Sequence, residues 1–118
     1  MRQAFAHDAV LIMESDADVR APGAAVAVVL CGHWDHEPPC RLAPHRVDAD
    51  PIDGELHVRI LFATEPDKEH EVRSLIELAL SGQATFPDGF ATPWRLRESR
   101  PSDVWADEAG LAERLIRH

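Results

Sequence analysis

The chain has 118 residues, 45% of them hydrophobic, and carries twelve Lys and Arg against twenty-one Asp and Glu for a formal net charge of −9. That length supports one domain, residues 1–118, with a modest core. A duplex-binding surface needs clustered Lys and Arg to displace counterions, so the acidic balance argues against nucleic acid and against an anionic membrane surface as partners.

The first apolar segment, His7–Glu14, is rich in β-branched and aliphatic residues and predicts a strand. Asp16, Asp18, Pro22 and Gly23 then give a turn composition. Ala24–His33 is almost continuously apolar and valine-rich, which predicts a second strand buried on both faces. That run is far shorter than the roughly 18 residues of a membrane helix, and Ala9–Met13 is too short for the apolar core of an export signal. A cytoplasmic location is expected, where thiols stay reduced.

From Trp34 to Asp53 the prolines Pro38, Pro39, Pro44 and Pro51 predict an irregular path. Asp53-Gly54 is a tight-turn pair suited to joining antiparallel strands. Glu55–Ala63 alternates: Leu56, Val58, Ile60 and Phe62 share one face, and His57, Arg59 and Leu61 the other, as in a half-buried strand. Pro66 and the acids around it open a helix whose stripe is Val72, Leu75, Ile76, Ala79 and Leu80, ended by Gly82. A short strand is expected over Trp94–Arg97. Ser102 is expected to cap a last helix running to Arg117, with Val104, Leu111 and Leu115 inward and with Trp94 and Trp105 in the core. The resulting order, β-β-β-α-β-α, predicts an α+β two-layer sandwich: a mainly antiparallel sheet of three to four strands covered by two helices.

Chemistry-bearing residues concentrate in the segment Cys31–His45, which holds both cysteines. Zinc takes about four N or S ligands. Cys31 and His33, two apart on a strand, would leave the same face, and His36 and Cys40 follow in a proline-stiffened turn. Cys31, His33, His36 and Cys40 are therefore the candidate ligands of a structural Zn²⁺ that would rigidify the loop, with His45 in reserve. The alternative is a metal-free protein-interaction or homodimerisation domain that presents Trp34 from the same loop. In a purely structural reading, Cys31 continues a buried strand and Cys40 is a loop residue.

Cys31-x-His33-x-Asp35-His36 resembles the His-x-His-x-Asp-His motif of the metallo-β-lactamase family, with cysteine in the first histidine position. The resemblance implies His33 as a ligand of one metal, Asp35 and His36 as ligands of a second, and a metal-activated water as hydrolytic nucleophile. It covers six residues, no glycine pair follows His36, and the chain is much shorter than that family's domain. A cysteine nucleophile would need a base at hydrogen-bond distance: His33 or His57 for Cys31, while Cys40 has Arg41 beside it. No catalytic residue is assigned on this basis.

Overall fold

The structure, a computed structural model, describes residues 2–13, 18–31, 44–81 and 94–117, with the backbone alone at Cys31. Four strands, β1 (Gln3–Met13), β2 (His45–Ile52), β3 (Glu55–Thr64) and β4 (Trp94–Ser102), form one antiparallel sheet in the order β2-β3-β1-β4. Among the described residues three helices accompany them: α1 (Ala21–Cys31), α2 (Glu69–Leu80) and α3 (Ala109–Ile116). The α+β class and the antiparallel sheet are as expected. The element order is instead β-α-β-β-α-β-α, a split β-α-β plan with a helix appended.

The difference arises at Ala24–Cys31, which belongs to a helix and not to a buried strand. Valine favours strands, but Ala21, Ala24, Ala25 and Ala27 favour the helix, and Pro22 sits in the first turn where its missing N–H costs nothing. A short run that is apolar on every side carries no period that separates the two states. Ala25, Val26 and Leu30 are buried against the sheet and α2. The second departure is β2, a strand within the stretch expected to be irregular. Beyond His45 its residues are half-buried or exposed, because it is an outer strand.

Asp53 and Gly54 both take positive φ, 50° and 80°, and close the β2–β3 hairpin as a two-residue turn with Ile52 opposite Glu55. The two faces of β3 are as expected, although Arg59, Leu61 and Ala63 on the second face are buried as well. Leu56, Val58, Ile60 and Phe62 lie with Ala9 and Leu11 of β1 in the main core, under Val72, Ile76, Ala79 and Leu80 of α2. We call this helix-covered side the front of the sheet. Trp94 is 7% exposed there and its indole N–H donates to the Leu80 carbonyl at 2.9 Å, tying β4 to the end of α2. A 3₁₀ turn, Pro66–Lys68, leads into α2, and acids fill the first turn as the sequence suggests.

On the back of the sheet, α3 packs Leu115 against Ala6, Leu61 and Ala63, with Val104, Leu111 and Ile116 at the margin. β4 runs to Ser102, so this residue ends a strand and does not cap the last helix. The helical segment opens with a 3₁₀ turn at Ala106–Glu108.

Candidate functional site on the open face of the sheet

Of the residues singled out in the sequence, Cys31 is the last residue of α1 and His45 the first of β2, where it is buried. His33, Trp34, Asp35, His36 and Cys40 lie outside the described residues. The strand that would have presented Cys31 and His33 on one face is replaced by the end of a helix, which also removes the strand setting of the metallo-β-lactamase-like pattern. Among the described residues, no three His, Cys, Asp or Glu side chains are grouped so as to hold a metal ion.

The back of the sheet is built by the strand register. Beyond the part that α3 covers, two rows of side chains cross all four strands. Asp48, Arg59, Asp8 and Arg100 stand opposite one another from β2 through β3 and β1 to β4. One pleat further on come Asp50, His57, Val10 and Glu98. These eight residues and Trp105 line a hollow of about 380 Å³. That volume falls within the range of small-ligand sites.

Arg59 organises one wall. Its Nε and Nη2 donate to the two carboxylate oxygens of Glu108 at 2.8 and 2.7 Å. Nη1 donates to Asp8 Oδ1 at 2.9 Å and to Ser102 Oγ at 3.1 Å, and Nη2 also donates to the Asp103 carbonyl at 2.6 Å. All five N–H donors of the guanidinium are thereby used, in the forked geometry that only arginine offers. Glu108 also accepts the Trp105 backbone N–H at 2.8 Å. The hydrogen bonds from Arg59 hold the Glu108 carboxyl below the usual carboxylate range, and the same bonds raise the already high Arg59 value.

The Arg59 guanidinium lies 3.7 Å from the centre of the Trp105 ring. Trp105 is nevertheless 56% exposed, which corrects the expectation that it is core. Its position between β4 and α3 is fixed by the Glu108 bond behind it and the arginine at its ring. The sequence does hold a signal for this exposure: Trp105 sits among Asp103, Asp107 and Glu108 at a helix start, a poor setting for a core residue. Nothing in the sequence pairs Arg59 with acids 51 and 49 positions away.

A second polar group lies on the front. His7 is 3% exposed, with Nδ1 3.2 Å from Arg73 Nη1 and Nε2 2.7 Å from Ser99 Oγ. Arginine only donates, so Nδ1 accepts and Nε2–H is left to donate to the serine. A serine nucleophile needs the reverse, an Nε2 lone pair that takes the hydroxyl proton. The arrangement therefore props the β1–β4 edge and does not activate Ser99. Burial first, and then the Arg73 charge, pushes the His7 imidazole down to about 4 against the opposing effect of Asp8, so it is neutral at pH 7.

Comparison with protein-family models, with curated proteins and with solved structures finds no significant match. The functional reading accordingly rests on the site itself.

Proposed function

We propose that the protein is a non-catalytic binding domain that holds its ligand in the hollow on the back of the sheet. This keeps the interaction-domain class that the sequence suggests and moves the working surface from the Trp34 loop to the strands around Trp105. One observation carries the reading. An antiparallel sheet packs one face on a core and leaves the other to water, but here α3, Trp105 and Arg59 build a wall at one end of the open face and turn it into a concavity. Trp105 offers a large, rigid and half-exposed surface of the kind that dominates recognition sites. The side-chain carboxylates of Asp50 and Glu98 line the same space with no hydrogen-bond or ion-pair partner among the described residues.

The test is amide chemical-shift mapping of the ¹⁵N-labelled protein against a set of small fragments and short peptides of mixed charge. Shifts are expected to cluster on Asp8, Val10, Asp48, Asp50, His57, Glu98, Arg100 and the Trp105 indole. If every binder maps to the helices on the front, or none perturbs these residues, the reading is wrong.

A further inference from the structure

The charge layout of the hollow points to the class of ligand, an inference that rests on the binding role proposed above. The first cross-strand row alternates in sign, from Asp48 through Arg59 and Asp8 to Arg100. Arg59 is consumed by Asp8 and Glu108, and Asp48 has Arg46 at 3.5 Å. The second row differs. It has carboxylates at both ends, Asp50 and Glu98, with His57 and the apolar Val10 as the floor between them. His57 leans on Glu55, 3.6 Å from its carboxylate, and Arg97 pairs with the same glutamate. No cation inside the second row answers Asp50 or Glu98, and Arg100 belongs to the row before. Across the lining as a whole, four carboxylates face two guanidinium groups.

The geometry points to a basic peptide segment of a protein partner, laid along the second row with one cationic side chain toward Asp50 and another toward Glu98. Three inter-strand spacings separate β2 from β4, about 14 Å in all. Alternate residues of an extended peptide project from the same side about 7 Å apart, and two arginine side chains splaying outward cover the rest of that span. The apolar stretch between the two charges meets Val10, and Trp105 rims the same hollow. The net charge of −9 favours encounter with a cationic partner, and the paired carboxylates give it a register.

The probe is an acetylated, amidated Arg-Ala-Arg peptide titrated at low salt, with Glu-Ala-Glu and spermidine as comparisons. Asp50→Asn with Glu98→Gln is expected to weaken binding about tenfold. Glu71→Gln with Glu77→Gln, an equal charge change on the exposed side of α2, is expected to weaken it less than twofold. The Arg-Ala-Arg shifts should fall on Val10, Asp50, His57 and Glu98. Equal weakening by both double variants would mean attraction to bulk charge and would overturn the inference. So would preferential binding of Glu-Ala-Glu, or binding of spermidine without the peptide. In these last cases the hollow is still a binding site if the shifts map there. Silence of the hollow toward every probe would bring down both readings together.

Discussion

Leu56, Val58, Ile60 and Phe62 of β3 disappear beneath two helices, while the residues that alternate with them, His57, Arg59, Leu61 and Ala63, meet one short helix over part of their length and open space over the rest. The two sides share strands, twist and register, and differ in what closes them. The front is sealed by aliphatic packing that needs only volume and shape. The back joins a small apolar contact under α3 to one guanidinium that spends its five donors on Asp8, Ser102, Asp103 and Glu108. Aliphatic closure tolerates conservative exchange, whereas a forked polar anchor does not. The side with specific geometry is therefore the one suited to recognition.

The contrast gives an order of expected effects. The largest is on the front: Phe62→Ala, at a fully buried position, should lose about 3–5 kcal/mol in urea denaturation. A loss below about 1 kcal/mol would mean that the front is not the principal core. Next, Arg59→Met should lose about 3 kcal/mol, since Asp8 and Glu108 are left without their cation in a partly buried setting. Backbone resonances of α3 should shift while those of α2 hold. Uniform change in both helices would contradict the local role given to Arg59.

Acid should act on both sides. The fold holds His7 neutral with its titration displaced to about 4, below the ordinary 6.5 of the unfolded chain. Its contribution is thus complete above pH 6.5 and is lost as pH falls toward 4, at most about 3 kcal/mol. Glu108, displaced below the ordinary carboxylate range by Arg59, contributes above that range and loses its contribution as pH falls through and below it. His7→Gln should flatten the upper part of the acid limb, measured as stability against pH, and leave the lower part. The smallest effects belong to the hollow. Trp105→Phe should cost less than about 1 kcal/mol, and Asp50→Asn or Glu98→Gln should stay within about 0.5 kcal/mol by thermal denaturation.

Much of the fold was legible in the residues. The alternation in β3, the Pro66 helix start and the Asp53-Gly54 turn are local signals with local causes, and each appears where expected. The first helix was not legible, because an unbroken apolar run has the same appearance in a buried strand and in a helix resting on a sheet. The strand β2 was hidden for the opposite reason: as an outer strand facing the hollow it carries Asp48 and Asp50 and little apolar pattern. The candidate site was the least legible part. Arg59, Asp8 and Glu108 come from three distant segments: the β1–β3 register sets Asp8 opposite Arg59, and the 3₁₀ turn after β4 brings Glu108 to them. The Cys31, His33, His36 and Cys40 set stands as a proposal from the sequence alone. Untagged protein bearing one equivalent of zinc by elemental analysis, lost in Cys40→Ser, is its expected signature, and metal-free protein would remove it.

Pro51 and Pro101 occupy the two marginal strands, β2 and β4. Each deletes an amide hydrogen that a neighbouring chain would require to continue the ladder, and aspartates and arginines beside them make dehydrating those rims costly. Growth into longer ribbons or fibrils is thereby discouraged at both borders, and any assembly this molecule enters is expected to form through its faces.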